Sequence, residues 1–79
     1  MAKNDEIKFE VVENYGQIAE KGGYSLELRK VSWNGREAKF DIRPWKDDKC
    51  GKGITLTDDE MKGLYDLLKK LDKKGIFKD

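Results

Sequence analysis

The sequence predicts an α+β fold: a curved four-stranded antiparallel sheet followed by one C-terminal amphipathic helix (ββββα). Three observations predict it. Asn34-Gly35 separates two strand-like segments, and a tight type I′ hairpin turn needs φ > 0 at both central residues, which Asn and Gly tolerate best. Thr57-Asp58-Asp59-Glu60 spells a capping box just ahead of Met61, Leu64, Leu68 and Leu71, whose spacing puts them on one helical face. Upstream of Thr57, the apolar residues show strand rather than helix periodicity.

Taken in order, the first strand is read over Ile7–Val12, which alternates and then turns apolar on both sides. Gly16 and Gly22-Gly23 punctuate the next segment, and Gln17–Lys21 fits either strand or loop. Tyr24–Trp33 is the second strand and Glu37–Trp45 the third. Pro44 has no N–H for a ladder, which places it near a strand end, an edge or a bulge. Lys46–Gly53 reads as a charged loop and Gly53–Leu56 as a short fourth strand. Leu56 and Met61 then occupy the staple positions around the helix cap, and the acidic first turn suits the helix dipole. Tyr65 and Leu67 widen the helical face, which fades in Asp72-Lys73-Lys74-Gly75.

The 79 residues make one domain (1–79), with an ordered core expected over about residues 7–72. A domain this small buries only about 60% of its unfolded surface, so an additional source of stability is expected. Cys50 is the only cysteine and there is no histidine, which excludes an internal disulfide and argues against a zinc site. Oligomerisation remains and is expected; the stripe of Met61, Leu64, Leu68 and Leu71 is more often core than a partner site, and in a dimer it can be both core and interface. No apolar run approaches the roughly 18 residues of a membrane span, and Met1–Glu6 is polar, so a cytoplasmic location is expected, at the nucleoid if the source is bacterial. No enzyme chemistry, cofactor or metal is expected. Imidazole-based nucleophile pairs are absent, the acidic clusters fit turn and capping roles, and Gly51-Lys52-Gly53 lacks P-loop spacing.

Charge is unevenly spread. Residues 29–56 hold eight Lys/Arg against four Asp/Glu, an excess of +4, and contain both tryptophans. A tight turn at Asn34-Gly35 pairs Trp33 with Arg36, and strict alternation from there mixes charged and apolar residues on both faces of the sheet. One extra residue, a β-bulge between Arg36 and Lys39, separates them. One face then gains Leu26, Leu28, Ala38, Phe40 and Ile42, on which the helix can pack. The other carries Arg29, Val31, Trp33, Arg36, Lys39, Arg43 and Trp45. Aromatic rings among cations on an open sheet suit single-stranded nucleic acid, because exposed bases stack on the rings and Lys/Arg neutralise phosphates. Trp33, Trp45 and Tyr24 are the stacking candidates; Arg29, Arg36, Lys39 and Arg43 are the phosphate candidates, with a partly structural role as the alternative and, for Arg43, pairing with a carboxylate. Single-stranded RNA as ligand, or a protein-interaction dimer using the aromatic face, are the alternatives.

The segments Phe40-Asp41-Ile42-Arg43-Pro44-Trp45 and Gly51-Lys52-Gly53-Ile54-Thr55-Leu56-Thr57, with the capped helix after them, resemble the transcriptional positive-cofactor family of single-stranded-DNA-binding coactivators. Val31-Ser32-Trp33-Asn34 brings the chain nearest to the bacterial YdbC-type members. The resemblance covers about residues 24–71 and implies four antiparallel strands and a helix, a dimer formed through helices and neighbouring strands, and single-stranded DNA bound along the sheet. By position it implies a base-stacking role for Trp33 and basic contacts from Arg36, Arg43 and Lys52. The chain departs from the eukaryotic pattern at Pro44, with one residue fewer before the aromatic stretch, which loosens the assignment of Trp45. It has one residue more between the hairpin turn and Asp41, and regulation by the long N-terminal tail of the eukaryotic members is not expected. The implied setting is transcription, with replication and repair equally open from the residues.

Overall fold

The computed structural model describes residues 8–77. The elements are β1 (Phe9–Lys21), β2 (Tyr24–Trp33), β3 (Lys39–Lys46), β4 (Lys49–Cys50), β5 (Ile54–Leu56) and α1 (Asp58–Lys73). They form one curved antiparallel sheet and a C-terminal helix, the α+β class expected. The order is β1-β2-β3, and the outer edge of β3 is shared by β4 at one end and β5 at the other.

Three differences from expectation concern extent, the smallest being the third strand, which spans Lys39–Lys46 rather than Glu37–Trp45. The first strand runs through Gln17–Lys21 to a length of 13 residues, beyond the predicted Val12 end; its predicted start, Ile7, lies outside the described residues. The charged loop contains a two-residue strand, β4, because Asp47 adopts φ 56° and turns the chain so that Lys49 faces Lys46. β1 slips register against β2 at three places, between Val11 and Glu13, Asn14 and Gly16, and Gln17 and Ala19. Each slip adds a residue on β1, which bends and twists a strand. Val12, Tyr15 and Ile18 fall in these slips, so their spacing of three is that of a repeatedly bulged strand.

The hairpin and cap form as the sequence predicts. Asn34 and Gly35 take φ 54° and 75°, and the Arg36 N–H donates to the Trp33 carbonyl at 3.0 Å. The ladder resumes at Val31 opposite Lys39, one residue out of step with the Trp33–Arg36 closure, so the extra residue lies between Arg36 and Lys39. Thr57 and Glu60 make both hydrogen bonds of the capping box, at 3.1 and 2.8 Å. The register also fixes the faces. Leu26, Leu28 and Lys30 lie opposite Pro44, Ile42 and Phe40; Ser25, Glu27, Arg29 and Val31 lie opposite Trp45, Arg43, Asp41 and Lys39.

The core is not where the sequence suggests. Among the described residues, Val31, Trp45 and Asp41 are the buried ones, and all three lie on the polar-rich face. The apolar face of Leu26, Leu28, Phe40 and Ile42 stays half-buried, because the helix does not cover it. α1 packs beside β3 and β5 and buries none of its residues, and an ion pair of 3.6 Å between Asp58 and Lys30 ties its start to β2. Met61, Leu64 and Leu71 are half-buried, and Leu68, Tyr65 and Leu67 are exposed. The radius of gyration is 15.1 Å, against about 12 Å for a globule of this length. The accessible surface is 6378 Å², against about 4,900 Å² for a folded monomer of this mass.

Candidate nucleic-acid interface

The polar-rich face is built around four charges on β2 and β3. Glu27 stands opposite Arg43, and Arg29 opposite Asp41. Each arginine pairs along its own strand with the acid two positions earlier, since residues i and i+2 share a face. Arg29 Nε donates to Glu27 Oε1 at 2.7 Å, with Nη2 at 2.5 Å from the same oxygen. Arg43 Nε donates to Asp41 Oδ1 at 2.5 Å. Each arginine also lies over a tryptophan: Arg29 Cζ is 4.0 Å from the Trp45 ring centroid, and Arg43 Cζ 4.5 Å from that of Trp33. The four charges cancel, and the face centre is a neutral checkerboard rather than a cationic patch.

Asp41 holds this arrangement together. It is fully buried and accepts from Arg43, from Trp33 Nε1 at 3.3 Å and from Thr55 Oγ1 at 3.4 Å, so β2, β3 and β5 all supply donors. A buried carboxylate without such partners would be strongly unfavourable. Glu27 is held below its ordinary pKa of 4.5, first by a hydrogen bond from Ser25, then by Arg29 and Asn14, against the opposing effect of burial. Phe9 on β1 lies with its ring 5.3 Å from Trp33 and 5.5 Å from Trp45. Gly53 crosses so close over β3 that a Cβ there would strike Arg43 Cβ and the Ile42 carbonyl. Only glycine lets β5 and the Lys52 loop reach this position.

Beside this centre, Phe9, Trp33, Arg43, Cys50, Gly51 and Lys52 line an open groove of about 360 Å³. It therefore brings together Trp33, Arg43 and Lys52 of the predicted set. Arg36 is exposed at the hairpin tip and Lys39 is exposed at the start of β3. No ion pair among the described residues engages Arg36, Lys39 or Lys52.

Three expectations need correction. Trp45 is not on an open surface: it is 2% exposed, covered by Arg29 and flanked by Phe9, and its Nε1 has no hydrogen-bond partner among the described residues. Its ring offers no free face for a base in this conformation. Tyr24 is not brought to the groove. It lines a separate, mainly apolar hollow of about 450 Å³ with Ala19, Lys21, Leu26, Pro44 and Gly51. Arg29 and Arg43 are not free cations, since each is held by a carboxylate with only 16% of its side chain exposed. Sequence reading misses Phe9, Asp41 and Thr55. The signal that marks Asp41 is the acid-x-arginine pair Asp41-Ile42-Arg43, repeated as Glu27-Leu28-Arg29 on the facing strand.

Among the described residues, no group of three or more His, Cys, Asp or Glu could hold a metal, and no helix is long and apolar enough to cross a membrane. No protein-family model matches the chain. A protein of Treponema pallidum (strain Nichols), named "Uncharacterized protein", is 49% identical over 71 residues, covering 86% of this chain and 84% of that one.

Proposed function

This chain belongs to one family with the Treponema pallidum protein, a relationship that assigns no activity, and we propose from its geometry that it binds single-stranded DNA as a homodimer. The observation that carries this reading is the groove in which the half-buried Trp33 meets Lys52, with Arg36 and Lys39, exposed and in no ion pair among the described residues, on the same hairpin as Trp33. A base stacked on Trp33 contributes about 1–3 kcal/mol and needs no sequence-specific hydrogen bond. Bases of a duplex are already stacked on one another, so a duplex offers this ring nothing. Three cations per protomer would give a salt dependence of about −2 in log K against log salt, and about −4 for a dimer, at −0.7 per phosphate.

Self-association is supported by the surface left uncovered. The excess over a folded monomer is about 1,400 Å², more than the roughly 800 Å² each partner contributes to a standard interface. Apolar side chains are incompletely covered on both elements: Leu26, Leu28, Phe40 and Ile42 on the sheet and Met61, Leu64 and Leu71 on the helix are half-buried, and Leu68 is exposed. A second copy of the chain would cover both. The setting is intracellular nucleic-acid metabolism, in transcription, replication or repair, and the role is binding without catalysis.

The test is fluorescence anisotropy with a labelled oligo-dT, long enough to cross two protomers at about 20 nucleotides, with duplex DNA and single-stranded RNA as competitors. Tight binding that weakens with salt, resists duplex and is lost in Trp33→Ala is the expected result. No binding at low salt overturns the reading, and equal competition by RNA changes the ligand class to single strands of either kind.

A further inference from the structure

We propose that Arg29 and Arg43 are positioning residues for the two tryptophans, and that the phosphate contacts of this face are made by Arg36, Lys39 and Lys52. The proposal rests on the single-strand reading above and divides the labour within it. The same unit occurs twice on neighbouring strands: an acid, an arginine two residues on, and a tryptophan beneath the guanidinium. In one unit these are Glu27, Arg29 and Trp45; in the other they are Asp41, Arg43 and Trp33. The units are set crosswise, each arginine facing the other unit's acid.

The chemistry separates the two groups of cations. Salt-dependent affinity comes from cations that exchange small counterions for phosphates. Arg29 and Arg43 already have a carboxylate as counterion, and both are largely buried, so a phosphate would have to displace a closer and fixed anion. Arg36, Lys39 and Lys52 are exposed and make no ion pair among the described residues, although Lys39 lines a hollow with Glu37, Asp58 and Asp59. What Arg43 does have is a planar guanidinium over Trp33, whose Nε1 is tied to the same Asp41. The ring is therefore fixed by two contacts before a base arrives, which lowers the ordering cost of binding. Arg29 does the same for Trp45, the buried ring against which Phe9 rests.

Oligo-dT affinity measured as a function of salt tests this. Lys52→Ala and Arg36→Ala are each expected to flatten the slope by about 0.7 per site. Arg43→Lys keeps a charge that would serve a phosphate but loses the planar fork; it is expected to weaken binding about tenfold, the loss of one well-stacked base, with the wild-type slope. Arg43→Ala would leave Asp41 buried without its cation, so the double variant Asp41→Asn/Arg43→Gln is measured beside it, with the same expectation of lower affinity and unchanged slope. Wild-type binding by Arg43→Lys, or a slope flattened by about 0.7 in the double variant while Lys52→Ala keeps the original, overturns the proposal and leaves the single-strand reading standing. Wild-type protein that fails to bind overturns both.

Discussion

Replacing Asp41 by alanine removes the acceptor that β2, β3 and β5 share. Arg43 is left with 16% of its side chain exposed and without its ion-pair partner, with Glu27 on the facing strand already held by Arg29, and the Trp33 indole and Thr55 hydroxyl lose a partner. Breaking a buried ion pair by deleting one member costs about 3–5 kcal/mol. Arg43 retains some water contact, and the other two hydrogen bonds are long, so the lower end, about 3 kcal/mol, is expected. In a chain this small each kcal/mol moves Tm by about 4–8 °C, so Tm should fall by about 12 °C or more. Thermal and urea unfolding monitored by circular dichroism measure this, at one fixed chain concentration, since association makes Tm depend on concentration. In Asp41→Asn/Arg43→Gln no charge stays buried unpaired, and most of the loss should disappear. A cost below about 1 kcal/mol for Asp41→Ala is what a solvent-exposed pair gives, and would refute the claim that this carboxylate is the buried centre of the site.

Three further outcomes rest on single features. Glu27 is depressed in the folded state, so its contribution to stability is present above its unfolded pKa of 4.5 and lost as pH falls through the lower folded value. Glu27→Gln should therefore flatten the acid limb of the urea midpoint below about pH 4.5. Gly53→Ala puts a methyl into β3 and should destabilise by about 1–3 kcal/mol, while Gly63→Ala, with nothing near its Cβ in an exposed helix interior, should stabilise by about 0.5–1 kcal/mol. Leu68→Glu, on the uncovered helix face, should shift the chain from dimer to monomer in sedimentation at micromolar concentration, and an unchanged dimer would remove the helix from the interface.

Local chemistry explains what the sequence reveals of the fold. Asn34-Gly35 and Thr57 to Glu60 specify their turn and cap with residues that few other conformations reward, and both form as read. The bulge after Arg36 is legible because an unbulged register leaves neither face able to serve as a core. β1 reads too short because its three slips break the period of two, so Val12, Tyr15 and Ile18 look aperiodic. The site is half legible. Trp33, Arg43 and Lys52 do share a groove, but hydrophobicity places the core on the face of Leu26, Leu28, Phe40 and Ile42. The buried centre lies on the opposite face because Asp41 and Glu27 neutralise the arginines there, which lets guanidinium groups cover Trp45. Composition counts those charges and does not show that they cancel.

Nitrogen–proton correlation spectra of the labelled protein, recorded during titration with unlabelled oligo-dT, test the central claim most directly, because Trp33 and Trp45 give separate indole signals. The account predicts a large shift at the Trp33 indole and at the backbone of Arg36, Lys39 and Lys52. It also predicts a smaller shift at Trp45 and none at Val12, Tyr15 or Ile18. Spectra unchanged by the oligonucleotide, or shifts confined to the helix and the apolar face, would contradict it.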